Sequence, residues 1–88
     1  MAWTIEYSDR ALKTLKKMDK QTARRIVDYL SERVAPAEDP RMFGKALKGE
    51  LGEFWRYRVG DYRILCVIED DQVKILAATI GHRKHIYE

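Results

Sequence analysis

Apolar positions along the chain change period twice. From Trp3 to Tyr7 they alternate with polar ones, the two-residue repeat of a strand. From Ala11 the repeat lengthens: Ala11, Leu12, Leu15 and Met18 make one helical stripe, and Ala23, Ile26, Val27, Leu30 and Val34 make a second. Ser8 is placed to cap the first helix, with Asp9 at the positive end of its dipole. A break at Asp19-Lys20 separates the two and predicts an antiparallel helical hairpin whose apolar faces share a core. The segment Pro36 to Pro40 ends the second helix, because proline lacks an amide donor and disfavours helix in the residue before it. A loop then runs to about Gly44, and Lys45 to Gly49 reads either as a short strand or as an extended approach to a sheet.

Strict alternation returns in Phe54 to Arg63. Closing this stretch with a two-residue Gly60-Asp61 turn pairs Val59 with Tyr62 and Arg58 with Arg63. A second turn at Glu69 to Gln72 pairs Ile68 with Val73, sets Cys66 against Ile75 and Ile64 against Ala77, and leaves Ala78 opposite Arg63. In this register Trp55, Tyr57, Tyr62, Ile64, Cys66, Ile68, Val73, Ile75 and Ala77 lie on one face, the side the helices must cover. A slip of one residue would destroy that agreement. The expected fold is α+β: an N-terminal strand, then an antiparallel two-helix hairpin packed on a small, mainly antiparallel, twisted sheet.

Eighty-eight residues predict one domain, 1–88, with a modest core; a chain of this size buries about 60–65% of its unfolded surface. The net charge of +3 permits a nucleic-acid partner without requiring one. Charge is spread evenly over both halves, so any anion site depends on local placement. Lys13, Lys16, Lys17, Lys20, Arg24 and Arg25 read as a solvated helix surface. The lone cysteine, Cys66, excludes an intrachain disulfide, fits a reducing cytoplasm and reads as a small buried hydrophobe. Met1 to Arg10 holds no apolar run of the length a signal peptide or membrane span needs, so a cytoplasmic protein is expected.

The other face of the sheet holds the candidate chemistry. It carries Arg56, Arg58, Arg63 and Lys74 among Leu65, Val67 and Leu76. Like charges directly opposed across a strand pair are destabilising. A fold that keeps them is suited to hold an anion, and an exposed mixture of arginine and aliphatic side chains reads as a binding surface. Ion pairing of Arg58 or Arg63 with Glu53, Asp61 or Glu69 is the structural alternative. The chain ends in Gly81-His82-Arg83-Lys84-His85-Ile86-Tyr87-Glu88, which brings two histidines, an arginine and a tyrosine to the end of the last strand. Metal-independent RNA cleavage needs a base for the ribose 2′-hydroxyl, positive charge for the crowded phosphorane and an acid for the leaving 5′-oxygen. Arg56, Arg58, Arg63 and Arg83 supply guanidinium forks that match phosphate oxygens. His85 titrates near neutrality, and Tyr87 offers a ring for base stacking. His82 and His85 are three apart, but no carboxylate or thiol cluster accompanies them, and no Gly-rich phosphate loop, nucleophile elbow or dinucleotide fingerprint is present. No metal or cofactor is expected.

The order of elements, together with Leu47-Lys48-Gly49, the WRYRVGDYRI strand pair and the closing GHRKHIY, closely resembles the RelE/ParE superfamily of type II toxin–antitoxin toxins, and its RelE branch most of all. The likeness covers nearly the whole chain. It implies a RelE-like, microbial-RNase-like fold and a toxin that cuts messenger RNA in the ribosomal A site, with the ribosome, the messenger and a cognate RelB-like antitoxin as partners. By this resemblance Arg56 and Arg58 fall where RelE has two strand lysines. Arg63 and Arg83 fall on family arginines, and Tyr87 on a tyrosine that stacks on the substrate base. Lys45 and Lys48 match the basic approach to the RNA, and Lys74 and Lys84 are assigned to RNA contact with them. Arginine is a poorer base than lysine because guanidinium holds its proton, so His85 is expected to share proton transfer while the identity of the base stays open. A ParE-like protein that binds DNA gyrase, and a family member without catalysis, are the alternative readings.

Overall fold

The computed structural model describes residues 2–47 and 52–82. Strand β1 (Thr4–Tyr7) leads into helix α1 (Asp9–Lys17), capped by Ser8, whose hydroxyl accepts from the Ala11 amide at 3.0 Å. Asp19 caps α2 (Lys20–Tyr29) by accepting from the Thr22 amide. The predicted helical hairpin is therefore present, with its break where the caps place it. Helix α2 widens into a π-helical turn over Leu30–Val34, closed by the Ala35 amide donating to the Leu30 carbonyl at 2.8 Å. Trp3 donates its amide to the Ala35 carbonyl at 2.7 Å and ties this end of the helix to β1.

A 3₁₀ turn (Pro40–Met42) and β2 (Lys45–Ala46) precede the meander of β3 (Trp55–Val59), β4 (Tyr62–Glu69) and β5 (Lys74–His82). The sheet order is β1-β5-β4-β3-β2, antiparallel except for the parallel pair of β1 with β5. One face meets the helices. Tyr57, Ile64, Cys66, Ile75 and Ala77 are buried there against Ala11, Ile26, Leu30 and Val34. Complete burial of each large apolar side chain contributes about 1.5–3 kcal/mol. Burial also pushes the Cys66 thiol up to about 12, so it stays protonated and packs as a hydrophobe.

The β3–β4 hairpin has the expected register, with Val59 opposite Tyr62 and Arg58 opposite Arg63. Gly60 takes φ +59° at the first turn position, as a two-residue hairpin of this kind requires. The β4–β5 pairing differs from expectation. Ile68 lies opposite Ile75 and Cys66 opposite Ala77, a shift of two residues. The turn is a 3₁₀ segment (Asp70–Gln72) closed by Val73 in the left-handed region, φ 50°. A shift of two preserves facing, so the expected core members keep their side, except Val73, which moves into the turn and out of the core. A second irregularity then intervenes. Leu65 faces Thr79, and Ala78 is left as a bulge. The bulge reverses the facing of the residues beyond it, putting Ile80 in the core opposite Ile64 and Gly81, instead of Ala78, opposite Arg63.

Ser8 holds the bulge. Its hydroxyl donates to the Ala78 carbonyl at 2.6 Å, and its amide donates to the Ala77 carbonyl at 3.0 Å. One residue thus caps α1 and fixes the register of the distal half of β5. The loop before β2 is pinned just as firmly. Trp55 Nε1 donates to the Phe43 carbonyl at 2.6 Å, and the buried Tyr57 hydroxyl donates to the Pro40 carbonyl at 2.8 Å. Gly44, at φ +73°, passes so close to β3 that a Cβ there would overlap the Arg56 carbonyl oxygen.

Candidate nucleic-acid interface

Residues directly opposite each other in a sheet point to the same side. Lys45 lies opposite Arg56, and Arg56 lies opposite Leu65. Arg58 lies opposite Arg63, and Arg63 lies opposite Gly81. Two cross-strand rows therefore run side by side on the face away from the helices, about 7 Å apart at the rise of a strand. Lys45, Arg56, Arg58 and Arg63 converge on this patch. Gly81 and Thr79 keep its β5 side low.

Exposure grades across the patch. Arg58 and Lys45 are exposed, Arg56 is half-buried and Arg63 retains only 8% of its accessible surface. Leu65, at 5%, is buried as well, which corrects the expectation of an openly exposed aliphatic and arginine mixture. Arg63 is the unusual residue. Among the described residues its Nε is buried without a hydrogen-bond partner, and one terminal nitrogen reaches the Tyr62 carbonyl at 3.5 Å, the outer limit for such a bond. No carboxylate pairs with Arg58 or Arg63 among the described residues, and Glu69, one expected partner, is held by Lys74 instead. A buried guanidinium with an unmet donor, facing another arginine, has the donors and charge to hold an anion.

Lys74 does not belong to the patch. Its ammonium lies 3.5 Å from Glu6 and 3.4 Å from Glu69. Partial desolvation works against its charge, but the two carboxylates outweigh it and its pKa is raised. It sits opposite Glu69, six residues along β4 from Arg63 and hence about 20 Å away at the strand rise. Lys48, Arg83, Lys84, His85 and Tyr87 lie outside the described residues. The exposed lysines and arginines of α1 and α2 form the solvated surface expected of them. Among the described residues no group of three or more His, Cys, Asp or Glu is placed to hold a metal ion, and no helix is long and apolar enough to cross a membrane.

The model of the ParE toxin of type II toxin–antitoxin systems, parDE, matches residues 5–87. The chain belongs to this family. The toxin is 26% identical to toxin RelG of Mycobacterium tuberculosis over 87 residues, which are 99% of this chain and 98% of that one. Its fold superposes on the toxin–antitoxin complex RelBE2 of M. tuberculosis with a TM-score of 0.85, at 24% identity over 94% of this chain and 93% of the other. It superposes on a double mutant of the Escherichia coli toxin RelE in the free state with a TM-score of 0.79, at 21% identity over 99% and 90%. The archaeal RelE–RelB complex of Pyrococcus horikoshii gives 0.69, at 24% identity over 97% and 99%. These likenesses establish the α+β fold of RelE structures. Two of the three contain a RelB-type antitoxin bound to its toxin.

The Arg63 burial and the Ala78 bulge escaped the sequence reading. The bulge has one local signal, a cap-forming Ser8, but its second bond spans 70 residues of chain and is invisible to any periodicity.

Proposed function

We propose that the toxin is a metal-independent endoribonuclease that cuts messenger RNA in the ribosomal A site and that a RelB-like antitoxin neutralises it in the cytoplasm. The observation that carries this reading is the buried, incompletely bonded Arg63 guanidinium opposite Arg58, beside Arg56 and Lys45. In the reaction the ribose 2′-oxygen attacks the adjoining phosphorus, and its proton passes to a base. The bond to the 5′-oxygen breaks, that oxygen takes a proton, and the products are a 2′,3′-cyclic phosphate and a 5′-hydroxyl. Arg58 and Arg63 hold the non-bridging oxygens as charge accumulates on the phosphorane. A donor already stripped of water needs no reorganisation at that moment, which is why its burial serves catalysis better than an exposed lysine would. Arg83 adds charge, His85 shares proton transfer and Tyr87 stacks on the base. Lys45, Lys48 and Lys84 guide the strand. Lys74, committed to two carboxylates, takes no part.

The ribosome orients the messenger, a contribution worth up to about 7–11 kcal/mol of the barrier in well-positioned reactions. Free RNA is therefore a poor substrate. The match to a model named for ParE favours a second reading, a ParE-like inhibitor that binds DNA gyrase. Primer extension on ribosomes programmed with a defined A-site codon separates the two. Cuts by wild type, lost in Arg63→Met and absent on naked RNA, support the endoribonuclease. No cuts by folded, antitoxin-free wild type, with inhibition in a gyrase supercoiling assay, overturn it.

A further inference from the structure

Strand β2 covers only the first part of β3, and beyond it a cleft of about 260 Å³ opens, lined by Tyr29, Gly44, Lys45, Arg56 and Arg58. Tyr29, the last residue of α2, forms its aromatic wall. Its ring stands edge-on to the buried Tyr57, with centroids 6.3 Å apart and planes at 61°. Tyr57 is in turn anchored through its hydroxyl to Pro40, so the wall is rigid. Arg33, one helical turn further on and exposed, bears electrostatically on the same phenol. Burial raises the Tyr29 pKa and Arg33 opposes that rise, which leaves the hydroxyl neutral at physiological pH. Three cations thus line the cleft with one ring while a fourth, Arg33, bears on its phenol, and no carboxylate lines the cleft among the described residues. Such a concentration of positive charge is favourable around an anion. An aromatic surface set among cations suits a ligand with a flat ring and a phosphate, which is a nucleotide. Arg56 and Arg58 belong both to this cleft and to the Arg58–Arg63 patch, so a strand held at one passes directly beside the other.

We propose that this cleft is a nucleotide subsite for the RNA, seating the residue next to the scissile phosphate, with its base on Tyr29 and its phosphate between Lys45 and Arg33. Gly44 keeps the floor low, since it packs on the Arg56 carbonyl with no room for a side chain. The proposal rests on the RNA-cleaving reading and adds to it a specificity-determining contact outside the reacting atoms.

Single-turnover cleavage on programmed ribosomes at varied toxin concentration tests it. Tyr29→Leu keeps an apolar side chain against Tyr57 but removes the ring, and Tyr29→Phe keeps the ring. Tyr29→Leu is expected to raise the half-saturating toxin concentration about 5- to 160-fold, the range of a lost base-stacking contact, with the saturating rate unchanged. Tyr29→Phe is expected to behave as wild type. A 4-thiouridine beside a 2′-O-methylated, uncleavable codon should crosslink to the peptide that contains Tyr29. Wild-type half-saturation in Tyr29→Leu overturns the subsite and leaves the endoribonuclease reading intact, whereas absence of cleavage by wild type overturns both. If Tyr29→Leu does not fold, Arg33→Glu, at an exposed position, is expected to raise it as well, and an unchanged value there overturns the subsite. A loss confined to antitoxin affinity also overturns it and assigns the cleft to the antitoxin.

Discussion

Replacing Arg63 by methionine should make this protein more stable and less active. The magnitude comes from its surroundings. Leaving the buried Nε without a partner costs about 1–3 kcal/mol, and the opposed Arg58 adds roughly 0.2–1 kcal/mol of repulsion. Against this stands one hydrogen bond to Tyr62 at 3.5 Å, too long to return more than about 0.5 kcal/mol. Methionine keeps an unbranched stem of similar reach, so the contacts beside Leu65 are largely retained. The balance is a gain of about 1–3 kcal/mol, in line with the behaviour of buried charges exchanged for apolar groups. For a domain of this size each kcal/mol moves the melting temperature by about 4–8 °C.

The assay is thermal and urea unfolding of wild type and Arg63→Met, with and without sulfate, and with sodium chloride at matched ionic strength to separate screening from binding. Sulfate should stabilise wild type more than the variant, because only wild type offers the buried guanidinium to the ion. Ribosomal cleavage should be lost. A variant less stable than wild type by about 1 kcal/mol, or equal stabilisation of both proteins by sulfate, would refute the view that Arg63 is held unsatisfied in readiness for an anion.

Gly44→Ala should lower stability by about 2–4 kcal/mol in urea melts, since the new methyl overlaps the Arg56 carbonyl at a backbone φ of +73°. Val73→Asn should raise it by about 1 kcal/mol, because a β-branched residue at φ 50° is strained while asparagine tolerates that region; an unchanged urea midpoint would contradict this. Asp70 accepts two bonds from Arg41 at 2.9 Å, and this guanidinium holds its carboxyl below the usual carboxylate range. The stability it confers is fully present above the unfolded pKa of about 3.9 and is lost as pH falls through the lowered folded value. Melting temperatures of wild type and Asp70→Asn should therefore differ at pH 7 and converge at about pH 2. Saturating cognate antitoxin should raise the melting temperature by mass action, by the equivalent of about 2.7 kcal/mol at a hundred times its Kd, and no shift in a thermal melt would count against antitoxin binding.

Legibility from sequence tracked the range of the interactions involved. The helical hairpin was readable because its determinants are local: two caps, two apolar stripes and a proline stop. The β3–β4 register was readable because a two-residue turn with glycine at its first position permits one pairing. The β4–β5 register was not, because the turn uses Val73 in a conformation that valine disfavours, so composition pointed to a different closing residue. Neither the parallel docking of β1 on β5 nor the bulge at Ala78 has a local cause. Both are fixed when Ser8 and Trp3, far from β5 in sequence, find partners in the folded chain. At the site, alternation correctly put Arg56, Arg58 and Arg63 on one face, but nothing in a one-dimensional pattern distinguishes a buried arginine from an exposed one. The Tyr29 cleft was hidden for a further reason: it joins the end of α2 to the loop before β2, and its outline depends on where β2 begins.

On the proposed function, the arginine face accounts for a partner on either side of the activity. A face whose central guanidinium is dehydrated and incompletely bonded is less stable than it could be, since the groups that would relax it, a carboxylate or an apolar side chain, would also occupy or abolish the place of the phosphate. In the proposed reaction an RNA phosphate presented by the ribosome would relieve that frustration during turnover. An acidic segment of an antitoxin would relieve it at rest, in competition with the RNA. On that proposal neutralisation would need no conformational change in the toxin. Competition for the Arg63 guanidinium would be sufficient, and the stability gained on antitoxin binding and the activity lost would share one origin at that residue.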